Sequence, residues 1–84
     1  MFYVYILQSE STDSLYIGQT QNLEERIKRH NSNRNKYTRG RGPWILLYYK
    51  SFKTRSEAIA LESRLKKWKS KQRILEWIDR ENMG

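Results

Sequence analysis

The sequence predicts an α+β fold: a three-stranded antiparallel-type sheet flanked by helices, in the order ββαβαα. Three runs rich in β-branched and aromatic residues, at 2–7, 15–20 and 44–52, read as strands. Two capping boxes, at Asn22 and Thr54, each precede apolar residues at helical spacing. The connection between the first two runs is short and polar, which makes them an antiparallel pair.

In chain order, Phe2 to Leu7 form the first strand, and Ser9 to Ser14 a polar hairpin loop. Leu15 to Thr20 form the second strand. Asn22-Leu23-Glu24-Glu25 opens a helix that runs to about His30, with Leu23 and Ile27 inward. Asn31 to Pro43, rich in Asn, Ser, Gly and Arg, reads as a long basic loop before the third strand, Trp44 to Phe52. Thr54-Arg55-Ser56-Glu57 starts a helix whose apolar stripe is Ala58, Leu61, Leu65 and Trp68. Ser70 caps a last helix with Ile74, Leu75, Trp77 and Ile78 inward. No repeat or linker divides the 84 residues, so one domain over 1–84 is expected.

With no cysteine, a chain this short must be held by packing, to which three Trp, six Tyr and two Phe contribute large buried areas. The first residues carry neither a basic n-region nor a long apolar stretch, so a cytoplasmic protein without a membrane span is expected. Charge narrows the partner class further. The net charge is +8 with a pI near 10.0. Between Arg26 and Ser56 stand ten Lys or Arg and no acid, and six more stand acid-free from Arg64 to Arg73. Basic runs of this density suit phosphate polyanions, against the alternative of a solvated face that keeps a small protein soluble.

Several residues are candidates for chemistry. Arg26 and His30 lie four apart on one helix, so their side chains leave the same face, at the edge of its apolar stripe. A guanidinium forks onto phosphate oxygens, and a neutral imidazole takes a proton near neutral pH. Glu62 flanks the apolar stripe of the second helix, where a carboxylate calls for an ion pair (with Arg26 or Arg64) or a divalent cation. Tyr5 and Tyr16 face one way across the hairpin if it is paired as expected, and Gly18 in a strand interior marks a close approach. Taken singly, each is more commonly a core tyrosine, an ion pair or an ordinary surface charge.

Together, in order and spacing, they resemble the GIY-YIG nucleases, in particular the short single-domain members described as excision-repair-nuclease-like. Tyr3-Val4-Tyr5 stands where the family has GIY, Tyr16-Ile17-Gly18 is YIG unaltered, and Thr20-Gln21-Asn22-Leu23 leads to Arg26. His30 follows, and Glu62 closes Ser56-Glu57-Ala58-(x)₃-Glu62. The likeness spans residues 2 to about 78. It departs at Tyr3, in place of the family's Gly, and at Gln19, where some relatives carry Lys.

The resemblance implies a metal-dependent endonuclease. Tyr16 or His30 would help take the proton of the attacking water, and Tyr5 would hold the nucleophile. Arg26 would neutralise the scissile phosphate, and Glu62 would anchor one Mg²⁺ (or Mn²⁺) that stabilises the leaving oxygen. DNA is favoured over RNA, with cutting directed by structure more than by base sequence, in repair or processing. The basic loop adds Arg34, Lys36, Tyr37, Arg39 and Arg41 as nucleic-acid contacts, against the reading of a disordered connector. The rival class is a binding module with the same fold and no turnover.

Overall fold

Three side-chain caps set where the helices begin in the computed structural model, which describes residues 1–83. The Asn22 Oδ1 accepts from the Glu25 amide at 3.1 Å and starts α1 (Leu23–Asn31). The Thr54 hydroxyl accepts from the Glu57 amide at 3.3 Å and donates to the Glu57 carboxylate at 2.9 Å, opening α2 (Arg55–Trp68). The Ser70 hydroxyl accepts from the Arg73 amide at 3.2 Å and opens α3 (Lys71–Asn82). Each cap satisfies an amide that the first helical turn leaves without a partner. Lys69, at φ +50°, makes the left-handed turn that lets α3 follow α2 at once.

The strands are β1 (Phe2–Ser9), β2 (Leu15–Thr20) and β3 (Trp44–Phe52), all antiparallel, in the order β2-β1-β3. As the central strand, β1 buries both faces, which is why Val4 to Leu7 are all inaccessible and read as an unbroken apolar run. Val4 and Ile6 pack with Ile17 against Ala58, Leu61 and Leu65 of α2 and Ile74 and Ile78 of α3. Tyr5 and Leu7 point the other way, to Trp44, Tyr16, Leu23 and Ile27. The sheet is thus a middle layer between the α2–α3 pair and α1. The expected ββαβαα order and sheet are what the chain forms.

A slip in pairing refines the third strand. Ile6 lies opposite Tyr48 but Leu7 lies opposite Leu46, so Leu47 is an extra residue. Because side chains alternate across a strand, one extra residue reverses the faces beyond it. Tyr48 joins the α2–α3 core while Leu46 and Trp44 reach the α1 layer. On the far layer Tyr48 and Trp77 pack edge to face at 4.9 Å, and the Arg73 guanidinium lies 4.4 Å from the Trp68 ring centre. No helix among the described residues is long and apolar enough to cross a membrane.

Candidate active site

Strand pairing decides the floor of the site. Tyr5 stands opposite Gly18, and Tyr16 opposite Leu7, so the two phenols share the α1 face on a diagonal with ring centres 6.2 Å apart. Gly18 is required there. A Cβ at that position would lie 2.7 Å from the Tyr5 hydroxyl oxygen and 3.1 Å from Tyr16 Cε1, closer than those rings permit.

From above, α1 delivers Arg26 and His30. The expectation of a pair at the edge of the buried face holds for Arg26 only. His30 is fully buried, and it is the one residue of α1 in that class, since Leu23 and Ile27 are only partly covered. Its Nε2 lies 2.9 Å from the Tyr5 hydroxyl, and its ring centre 4.6 Å from that of Tyr16. Its Nδ1 lies 2.8 Å from the Thr38 hydroxyl, which is also fully buried. With both ring nitrogens engaged and none of it exposed, His30 is closed off from water, as is Tyr5, which is also fully buried.

Arg26 stands beside the Tyr5 hydroxyl. Its Nε is buried and, among the described residues, has no hydrogen-bond partner. A buried N–H with nothing to bond is costly and suits an anion brought by a ligand. Burial, the Tyr16 phenol and Glu62 raise the Tyr5 pKa well above its usual value of 10.0, and the Arg26 guanidinium opposes them. Burial, with Arg26 and Arg29 nearby, pushes the His30 pKa down from 6.5 to about 4. At neutral pH both groups are therefore uncharged.

Glu62 comes from α2, the opposite layer, and lies against the outer strand β2, where the Gln19 amide donates to Oε1 at 3.4 Å. The expected ion pair is real but its partner differs. Lys66, one turn on, reaches Oε2 at 3.1 Å, whereas Arg64 turns to the Trp68 ring at 6.0 Å. Helical spacing puts residues 62 and 66 on one face and sends 64 away. The carboxylate side chain is 16% exposed, and its charge is felt at Tyr5. No group of three His, Cys, Asp or Glu side chains is assembled among the described residues. One partly open carboxylate fits a hard cation that keeps most of its waters and takes its remaining shell from substrate phosphate.

The loop from 32 to 43 is pinned rather than a loose connector. Asn31 bonds both backbone groups of Trp44, donating to its carbonyl at 3.2 Å and accepting from its amide at 2.7 Å. The Trp44 indole donates to the Thr38 carbonyl at 3.2 Å, and the Ser9 and Ser11 hydroxyls donate to the Arg41 carbonyl. Sequence reading missed Thr38, Asn31, Trp44 and Ser9. Each acts across the fold, and none sits in a periodic pattern that would have singled it out.

Held this way, the loop forms one wall of a groove of about 870 Å³ with Lys36, Tyr37 and Arg41. The facing wall is the α2–α3 junction, with Lys66, Lys69 and Lys71. Tyr16 and Trp44 also line the groove, so the cluster meets it through Tyr16 alone; Tyr5, Arg26, His30 and Glu62 do not line it. Lys71 approaches Asp13 at 4.0 Å. Arg34 and Arg39 are exposed on the loop but do not line the groove. Of the distal basic residues, Arg73 is taken up by Trp68.

The family described as the GIY-YIG catalytic domain matches residues 1–74. A UPF0213 protein of Clostridium perfringens is 48% identical over 75 residues, covering 88% of this chain and 80% of that one. Another, of Oceanobacillus iheyensis, is 51% identical over 65 residues, covering 76% and 74%. The solution NMR structure of a UPF0213 protein from Bacillus halodurans superposes with a TM-score of 0.59 at 37% identity, over 94% of this chain and 84% of that one.

Proposed function

The chain belongs to the GIY-YIG nuclease family, and from that premise we propose that it is an endonuclease that hydrolyses nucleic-acid phosphodiester bonds, DNA in preference to RNA, with one divalent cation on Glu62. The observation that carries this reading is the buried, unpartnered Nε of Arg26 beside the Tyr5–His30 pair, whose rings pack on Tyr16, a wall residue of the groove that carries Lys36, Arg41, Lys66, Lys69 and Lys71. A phosphate that reaches Arg26 satisfies that N–H and takes the guanidinium fork.

The residues divide the work by depth. Tyr16, open to the groove, contacts the attacking water, takes a proton from it and passes its own to solvent. Tyr5, fully buried behind that phenol, acts on the water only through Tyr16 and Arg26, which it packs against. His30, wholly buried, acts through Tyr5 and touches neither water nor substrate. Arg26 offsets the negative charge that gathers on the phosphoryl oxygens as the bond to the 3′ oxygen breaks. A cation bound at Glu62, Mg²⁺ or Mn²⁺, supplies Lewis-acid stabilisation of that departing oxygen. Lys36, Arg41 and Tyr37 on one wall and Lys69 on the other grip backbone and bases, with Arg34 and Arg39 extending the field. Contacts of this kind read strand shape more than base order, which suits a role in repair or processing of structured substrates.

The test is cleavage of a panel of nicked, flapped, single-stranded and duplex DNA and RNA with Mg²⁺ or Mn²⁺, comparing wild type with Glu62→Gln. The substitution keeps the side chain's shape and removes its charge. We expect cleavage to fall at least about 100-fold while substrate binding survives. Equal nicking by both proteins would assign the activity to a contaminant and leave a binding module.

A further inference from the structure

We infer that Lys66 is a movable counterion of Glu62: its ammonium rests on the carboxylate and leaves for a phosphate when a strand enters the groove, so that nucleic acid and the divalent cation bind cooperatively. Both carboxylate oxygens are engaged. The Gln19 amide donates to Oε1 at 3.4 Å, and the Lys66 ammonium lies 3.1 Å from Oε2. Of these two partners only Lys66 opposes a metal ion. The amide carries no net charge, whereas an ammonium and a dication cannot share one oxygen without strong repulsion. The cation that the endonuclease reading puts on Glu62 must therefore displace Lys66, and the inference rests on that reading.

The surroundings of Lys66 say where it goes. Glu62 is set back, with 16% of its side chain exposed, and does not line the groove, while Lys66 is 56% exposed and does. Gln19 does not line it either. Lys66 thus joins the carboxylate to the groove wall, beside Lys69 and Lys71 and across from Lys36 and Arg41. Residues 62 and 66 lie one turn apart on α2, so the exchange needs only rotation of the flexible lysine stem, with the helix unmoved. An ion pair with so exposed a member is weak and is readily exchanged for one with a phosphate. Once the ammonium sits on phosphate, Oε2 is open and a positive charge has moved off it. The linkage runs both ways: a bound cation frees Lys66 for the strand as much as the strand frees Glu62 for the cation.

Two measurements on the full chain test this, and neither needs cleavage. In the first, Mn²⁺ is titrated into the protein without nucleic acid, and free Mn²⁺ is counted by electron paramagnetic resonance. Lys66→Gln should bind it about 3-fold tighter than wild type. Lys69→Gln removes a groove charge that does not pair with Glu62, and should bind as wild type does. Adding Glu62→Gln to Lys66→Gln should abolish the gain. In the second, a short single-stranded DNA oligomer is added in EDTA while the Glu62 carboxyl carbon is followed by NMR. That carbon should shift in wild type as the ammonium leaves it and stay still in Lys66→Gln. The log–log salt slope of oligomer binding should fall by about 0.7 in the same variant. Equal Mn²⁺ affinity in wild type and Lys66→Gln, an equal gain in Lys69→Gln, an unchanged slope, or a wild-type Glu62 carbon unmoved by the oligomer overturns the proposal. A wild-type protein that cuts nothing would sink the endonuclease reading, while the Glu62 carbon and the salt slope still judged Lys66.

Discussion

Acid should destabilise this protein through one residue. Burial and the neighbouring Arg26 and Arg29 lower the His30 pKa from 6.5 to about 4. Between those values the unfolded chain binds a proton that the folded chain refuses. The contribution of neutral His30 is therefore complete above 6.5 and declines as pH falls toward 4. At 1.36 kcal/mol per pH unit the whole effect is about 3 kcal/mol, of which about 2 kcal/mol is already lost at pH 5. That pH is a useful place to look, because ordinary carboxylates, with pKa values of about 3.9–4.3, are still mostly ionised there. For a domain of this length, about 2 kcal/mol lowers Tm by roughly 8–16 °C. The measurement is denaturant unfolding at pH 7.5 and pH 5, on wild type and His30→Gln, with the imidazole nitrogens titrated by NMR in wild type. His30→Gln should start less stable and lose much less between the two pH values. Equal losses in both proteins, or an imidazole that titrates near 6.5 in the folded state, would refute the reasoning.

Three other outcomes follow from the packing of the site and its loop. Gly18→Ala should cost about 1–3 kcal/mol, because its methyl group and the Tyr5 hydroxyl cannot share one place, and it should displace Tyr5 from His30; thermal unfolding and the His30 nitrogen shifts report both, and a neutral substitution would contradict the close fit. Asn31→Ala should cost about 1–3 kcal/mol and raise hydrogen exchange across residues 32–43, since it unpairs both backbone groups of Trp44. Replacing Lys36 and Arg41 together by Gln should weaken nucleic-acid binding and flatten its log–log salt dependence by about 0.7–0.9 for each phosphate no longer neutralised, whereas an unchanged slope would move the footprint off the groove.

What the chain discloses in advance divides along a physical line. Local rules reached the caps at Asn22, Thr54 and Ser70, the three strands, and the shared face of Tyr5 and Tyr16, because each depends on neighbours a few residues away. The same rules put Arg26 and His30 on one side of α1 but misjudged the depth of His30. A 3.6-residue period ranks faces by apolar content, and an imidazole adds little to that ranking. The slip at Leu47 was hidden for a related reason: a run as uniformly apolar as Trp44 to Tyr49 has no alternation to break. Thr38 was out of reach altogether, because one threonine in a polar loop gains its meaning only from what lies against it after folding. The partner of Glu62 was open to local logic, since Lys66 is four residues on, but the basic surroundings offered too many cations to choose among.

The sparse apolar contact of α1 has a consequence for how this chain can change over time. A helix normally stays docked through several greasy side chains, any one of which can drift while the others hold. Here the deepest anchor is an imidazole wired to a strand phenol and a loop hydroxyl. Losing it would cast the helix loose, disengage the loop and misplace the guanidinium in a single stroke. A relative that cuts no nucleic acid would therefore still have reason to keep the histidine, and finding that residue intact in such a protein would testify to architecture before it testified to chemistry.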